Sequence, residues 1–137
     1  MKIRSIQIDD ISQVLRLWQK FGEYHGWLDT PQALARKVER ERDLFLVAET
    51  KGEIVASVMG SYDGRFALAA RLVVAPAYRR KAIATKLMQE LETRLRDKGA
   101  SQVSLLIEDN NDPAISLYRK RNYELQEDVS YMRKRLC

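Results

Sequence analysis

An apolar run, Leu72-Val73-Val74-Ala75, stops at Pro76 and is followed by three consecutive bases, Arg79, Arg80 and Lys81, and then by the small residues Ala82 and Ala84. Ile83, Leu87, Met88, Leu91 and Leu95 recur on one helical face, so a helix over roughly 80–98 begins among these residues and closes at Gly99. The first N–H groups of a helix have no partner inside it and carry the positive end of its dipole. Small side chains at Ala82 and Ala84 let an anion approach that backbone, and Ala82 is expected in the first turn with ordinary helical dihedrals. A strand, a basic turn and a helix start in this order suit a pyrophosphate. No GxxxxGK and no GxGxxG stretch occurs, which excludes nucleoside-triphosphate loops and dinucleotide folds.

Charge points to the same place. The chain has 24 basic and 19 acidic residues and a net charge of +5. Residues 1–70 hold 10 basic and 10 acidic groups and residues 101–137 hold 6 and 6, whereas residues 71–98 hold 8 and 3, so the whole excess lies around this turn. A local excess implies an anionic partner at that place rather than general solubility.

The elements that must position this turn can be read from periodicity. Residues 2–8 alternate as a strand, and residues 10–21 carry Ile11, Val14, Leu15 and Trp18 at helical spacing, with Asp9 and Asp10 as candidate caps. Thr30-Pro31 starts a second helix bearing Leu34, Ala35 and Val38. Leu44–Ala48 and Ile54–Met59 are strands joined at Lys51-Gly52, and Asp63-Gly64 leads into a strand from Arg65 to Val74. Val103–Ile107 is a buried strand, Asp112-Pro113 opens a short helix with Ile115 and Tyr118, and residues 123–136 are expected to hold one or two further strands. The order predicts an α/β fold, a mixed central sheet with helices on both faces, in which the two strands flanking the long helix run parallel. At 137 residues this is read as a single domain, 1–137. The lone cysteine, Cys137, excludes an internal disulfide, and with one histidine, His25, no metal site is expected. No apolar run approaches the ~20 residues of a membrane span, and the opening residues lack an apolar signal core, so a cytoplasmic protein without a membrane partner is expected.

The turn Arg79-Arg-Lys-Ala82-Ile-Ala84, set between Val-x-Pro and a long helix, resembles the (Gln/Arg)-x-x-Gly-x-(Gly/Ala) signature of the GNAT acyl-CoA-dependent N-acetyltransferases. Asn111-Asp-Pro-Ala114-Ile-Ser-Leu-Tyr118 is similar to that family's second signature, Asn-x-x-Ala-x-x-x-Tyr, and the order of elements matches over essentially the whole chain. One departure is Ala82, where the family usually has glycine.

The resemblance, to small single-domain bacterial members, implies an enzyme that moves an acetyl group from acetyl-CoA to a primary amine by direct attack in a ternary complex. It implies a cofactor site formed by Leu72, Val73 and Val74 at the strand end, by Arg79, Arg80, Lys81, Ala82, Ile83, Ala84 and Thr85 at the turn, and by Asn111 on the pantetheine arm, with Tyr118 both touching cofactor and reprotonating the leaving sulfur. The backbone N–H of Val74 or its neighbour would polarise the thioester carbonyl. Many family members place a glutamate on the central strand as base, but Ala67–Val74 contains no acid. Glu108, Asp63, Glu23 and His25 are the remaining candidates, of which Glu108, acting through water, is taken as the base. His25 lies among aromatics that line an acceptor pocket or simply pack. Without a strong base the site should favour amines of low pKa, including peptide α-amines, over lysine side chains. Two other readings are a non-catalytic acetyl-CoA sensor and a basic nucleic-acid module. The compact charge cluster disfavours the second, so no nucleic-acid partner is expected. The protein is expected as a monomer or homodimer.

Overall fold

A computed structural model describes every residue of the chain except Lys81. It contains two compact units, residues 1–105 and 106–137. The first holds β1 (Lys2–Ser5), α1 (Ile11–Phe21), α2 (Pro31–Glu41), β2 (Phe45–Thr50), β3 (Glu53–Tyr62), β4 (Ala67–Val74), α3 (Ile83–Asp97) and β5 (Ser104–Leu105). The second holds α4 (Asp112–Lys120).

The five strands form one sheet in the order β1-β2-β3-β4-β5, antiparallel except for the parallel β4–β5 pair that α3 connects. The two hairpins rest on the turn residues expected of them. Lys51 and Gly52 both take positive φ, and at the second turn Gly64 does so while the Asp63 carboxylate accepts the N–H groups of Arg65 and Phe66.

Both faces of this sheet are covered, so β2 reads as a continuous apolar run with Phe45, Leu46, Val47 and Ala48 all fully buried. On one face Phe45, Val47, Ile54 and Val73 pack with Val14, Leu15 and Trp18 of α1 and Leu34 and Val38 of α2. The Trp18 ring stacks on Phe45 at 5.9 Å. On the other face lies α3 with Leu87, Met88, Leu91 and Leu95 buried. Gly60 is needed there, because a Cβ at that position would stand 2.6 Å from the Leu91 side chain.

Several elements differ from the periodicity: β1 ends at Ser5 instead of residue 8, β4 starts at Ala67 instead of Arg65, and α3 starts at Ile83 instead of about residue 80. Asp10 precedes α1, but its carboxylate makes no cap bond to it, pairing instead with Arg4 at 2.7 Å and accepting the Gln7 N–H. The parallel strand is cut to Ser104–Leu105. Residues 123–136, expected as one or two strands, form none, and Leu125, Val129, Tyr131, Met132 and Leu136 lie exposed. Alternating apolar residues make a strand only where a partner backbone takes up their N–H and C=O groups. Among the described residues no helix is long and apolar enough to cross a membrane.

Candidate functional site

The chemistry is organised by a break in β4. Ala70 pairs with Met59 and Val73 with Ser57, so Arg71 and Leu72 together oppose Val58, and Arg71 takes a φ of 56°. Such a bulge bends its strand and re-aims the residues beyond it. A non-glycine residue in this region is strained by about 1–2 kcal/mol, and buried hydrogen bonds hold it there. The Trp18 indole N–H donates to Ser57 Oγ at 2.8 Å, and the Ser57 hydroxyl donates to the Arg71 carbonyl at 3.0 Å. Past the bulge, Ala75 N–H donates to the Val55 carbonyl. By the alternation of an antiparallel ladder, the N–H and C=O of Val74 therefore face the other edge. That edge belongs to β5, whose ladder with β4 runs only through Leu68–Ser104 and Ala69–Leu105. The Val74 carbonyl accepts from Arg79 Nε at 3.0 Å.

The turn after β4 is built unlike the starts of α2 and α4. Thr30 and Asn111 cap α2 and α4 with side-chain bonds to Ala33 and Ala114 N–H. The residue before α3 is Ala82, which offers no side-chain cap. The first-turn N–H groups of Ile83, Ala84 and Thr85 are thus left for another acceptor. Ala82 is not in the first turn with helical dihedrals, as expected from the sequence, but just outside it in the left-handed region, with φ 61° and ψ 18°. Arg80 is left-handed too, at φ 66°. The chain must reverse direction between strand and helix in a few residues, and left-handed steps accomplish this. Lys81 lies outside the described residues.

The positive charge is narrower than the sequence count implies. Arg71, Arg94 and Lys98 are held by carboxylates of Glu23 and Asp29, of Glu90, and of Asp43. Arg79 and Arg80 stay exposed at the turn.

Sequence reasoning passed over Arg71, although an arginine within the buried run Ala67–Val74 demands a partner. Its guanidinium lies 5.5 Å from the centre of the Trp18 ring and bonds Glu23 at 2.6 Å and Asp29 at 2.9 Å. Asp29 is buried and also accepts the His25 N–H, while His25 Nε2 stands 3.5 Å from Glu23 Oε1. The His25 ring packs on Trp27 at 4.9 Å. Two of the base candidates, Glu23 and His25, are thereby brought together beside the bulge. Asp63 is not with them. Its carboxylate is committed to the hairpin, where the N–H groups of Phe66 and Arg65 hold its pKa below the usual range.

In the second unit Asn111 caps α4 through Oδ1, and its own N–H bonds the Glu108 carbonyl. The Glu108 side chain is exposed, three residues beyond the end of β5 rather than at a strand end. Tyr118 is buried, sets its ring edge-on to Tyr123 at 5.6 Å, and has its phenol pushed up to about 12 by burial.

Comparison with known proteins agrees with this architecture. The sequence model of the Acetyltransferase (GNAT) family matches residues 11–123. An acetyltransferase of Sodalis glossinidius is 40% identical over 136 residues, covering 99% of this chain and 96% of its own. Among solved structures, Ard1 from Thermoplasma volcanium superposes with a TM-score of 0.81 at 25% identity, covering 91% of this chain and 83% of that one. The PaiA N-acetyltransferase from Thermoplasma acidophilum, solved with coenzyme A, gives 0.80 at 19% identity over 93% and 92% of the two chains. With a broken central strand, an uncapped helix after it and relatives alike over nearly their full length, this chain belongs to the GNAT family and is an acetyltransferase.

Proposed function

We propose that the protein transfers the acetyl group of acetyl-CoA to a primary amine, and that it favours amines of low pKa. The carrying observation is the pair of unsatisfied backbone features on successive elements, the Val74 N–H on the β5-side edge of β4 and the uncapped first turn of α3. They fit the two polar ends of an acyl-CoA, a thioester carbonyl and a pyrophosphate. That the family model spans residues of both units supports reading 1–137 as one working domain.

Ile83, Ala84 and Thr85 would hold the pyrophosphate through their N–H groups, with Arg80 and Lys81 adding charge and Ala82 adding no bulk beyond a methyl. Arg79 serves instead to fix the Val74 carbonyl, and so the orientation of that peptide. Leu72 and Val73 line the strand end, and the Asn111 amide nitrogen is left by its capping oxygen for the pantetheine arm. When bound, acetyl-CoA would supply an acetyl group activated as a thioester, whose sulfur would leave as a thiolate and take its proton from water. The Val74 N–H is set in place before any substrate arrives, and a preorganised donor to a developing oxyanion is worth about 2.7–4 kcal/mol.

Tyr118 keeps its proton far above neutral pH. A phenol near pKa 12 is a weaker acid than a thiol near 8.5, so full transfer to sulfur is uphill by several units. Its role is to donate a hydrogen bond to the leaving sulfur as charge builds there. The proton lost by the amine goes to water, from which Glu108, whose side chain is exposed, would take it up by relay.

A lysine amine near pKa 10.4 must give up its proton at pH 7 at a cost of roughly 4.6 kcal/mol, against about 1 for an α-amine near 7.7–8.0. The test is thiol release from acetyl-CoA over a panel of amines, with pH profiles of kcat/KM. Rates that follow each acceptor's own pKa support the reading. A lysine side chain used best, with an ascending limb far below its pKa, overturns the low-pKa preference. Absence of CoA binding in low-salt calorimetry overturns the cofactor assignment. Tyr118→Phe should lower kcat by roughly 10–100-fold, the loss of one hydrogen bond of about 1.5–3 kcal/mol to a developing charge, at little change in CoA affinity. Because the phenol is pushed up to about 12, the parent should show no alkaline loss of activity from Tyr118 below about pH 10. A cytoplasmic setting accompanies this proposal.

A further inference from the structure

We propose that Ser57 is a positioning residue for acetyl transfer, whose buried hydroxyl, by fixing the Arg71 carbonyl, holds the Val74 N–H on its aim. The inference rests on the acetyl-transfer reading above and names a residue of the neighbouring strand on which turnover depends.

Ser57 is fully buried, within a stretch of β3, Ile54–Val58, that is otherwise apolar. A hydroxyl in such surroundings must find partners. It has two, and together they fix its sense. An indole N–H can only donate, so Trp18 takes Ser57 Oγ as acceptor at 2.8 Å and leaves the hydroxyl proton for the Arg71 carbonyl at 3.0 Å. The relay thus runs one way, from α1 through β3 into β4.

Its end point is the bulge. Ser57 pairs with Val73, the residue before Val74, whereas the register passes from Ala70 to Val73 without including Arg71. The hydroxyl reaches across this break and does for the Arg71 carbonyl what a ladder amide does in a regular strand. The Arg71 side chain is anchored separately, by Glu23 and Asp29. Beyond Val74, the Ala75 N–H donates to the Val55 carbonyl. Val74 is therefore held from both directions, and Ser57 grips the backbone at the bulge itself, three residues before the N–H that would meet the thioester oxygen.

The strain in this arrangement points to function. Arg71 is left-handed at φ 56°, and its Nε is buried without a hydrogen-bond partner. Such features persist only where the surroundings over-determine them, and they gather where geometry serves a site. A regular β4 would need neither the strain nor a buried hydroxyl on β3. Both are kept for what the bulge does, which is to re-aim the residues after it. A donor to a developing oxyanion is effective because it is already aimed, and one free to swing loses part of that effect.

The experiment compares the parent with Ser57→Cys and Ser57→Ala, which change little volume while weakening and then removing the donor. Leu95→Ala, a core truncation on the opposite face of the sheet, controls for lost stability alone. In Ser57→Ala kcat should fall about tenfold, part of the roughly 10²–10³-fold that outright removal of such a donor costs. Ser57→Cys should lie between, with KM and the Kd for CoA nearly unchanged in both. Leu95→Ala, assayed well below its unfolding midpoint, should keep the parent's kcat. In the free protein, ¹⁵N relaxation should give the Val74 amide an order parameter of about 0.85 in the parent and a lower one in Ser57→Ala. An unchanged kcat in Ser57→Ala, or one lowered no more than in Leu95→Ala, overturns the proposal, and so does a loss carried in KM or CoA affinity. If neither Ser57 variant folds by circular dichroism, Trp18→Phe, which frees the hydroxyl to turn from the carbonyl, decides by the same two readouts. A lower kcat with a looser Val74 supports the relay, and no change in either overturns it. If no acceptor releases thiol, the acetyl-transfer reading fails separately, and the Val74 order parameters of parent and Ser57→Ala alone decide whether Ser57 holds that amide.

Discussion

The two flanks of Val74 handle their polar groups in opposite ways. On the bulge side the polar groups other than Arg71 Nε are engaged, with indole to hydroxyl to carbonyl along Trp18, Ser57 and Arg71, and guanidinium to two carboxylates at Glu23 and Asp29. On the turn side the helix has no side-chain cap, two non-glycine residues are left-handed, and Arg80 is exposed. The first flank resembles a finished interior, and the second an interior waiting for its last component. An anion would complete the turn, while the bulge only needs to stay rigid so that the Val74 peptide keeps its orientation.

Substitutions on the finished flank should therefore act on stability, and those on the open flank on ligand affinity. The largest effect is expected from Arg71→Met. It strands the buried Asp29 carboxylate, and breaking a buried pair by removing one partner costs about 3–5 kcal/mol. Denaturant unfolding reads this directly, and a loss below about 1 kcal/mol would mean the cluster is solvated and the contrast false. Ser57→Ala should cost about 1–3 kcal/mol, because the Trp18 N–H loses its acceptor and the Arg71 carbonyl its donor. It should lower kcat as well, if the bulge sets the Val74 donor.

Ala82→Gly tests the other flank. Relief of a left-handed alanine gains about 1–2 kcal/mol, and added unfolded-state freedom removes about 0.4–1 of it. A small net stabilisation and a lower Kd for CoA are expected, with little gain on Arg71→Gly, where the side chain itself is needed. Raising salt from low to ~0.5 M should weaken CoA binding severalfold while leaving the unfolding midpoint nearly unchanged, since the turn bases are exposed and the Arg71–Asp29 pair is not.

The smallest effect concerns acid. The Asp10 pKa is lowered, first by its hydrogen bond to Arg4. A depressed carboxylate stabilises the fold above its unfolded pKa near 3.9 and loses that contribution as pH falls through the lower folded value. Stability should thus fall below about pH 4, and Asp10→Asn should flatten part of that fall.

Much of this architecture is legible locally. The helix starts at Thr30-Pro31 and Asn111-Asp112-Pro113, the hairpins at Lys51-Gly52 and Asp63-Gly64, and the apolar faces of α1 and α3 arise from capping, turn chemistry and period, which act over a few residues. The same is true of the basic turn before α3, where residue types alone indicate an anion. Only the tertiary structure decided the rest. The β4 bulge requires a partner strand, and its left-handed residue is an arginine that no turn rule marks. The arginine's meeting with Glu23 and Asp29 spans 48 and 42 positions of sequence. Asp10 has the composition of a cap and is taken by Arg4 instead, and the alternation over 123–136 has no ladder to join. Local patterns determine which conformations a segment can adopt, and the partners that fix side-chain roles are chosen by packing between distant segments.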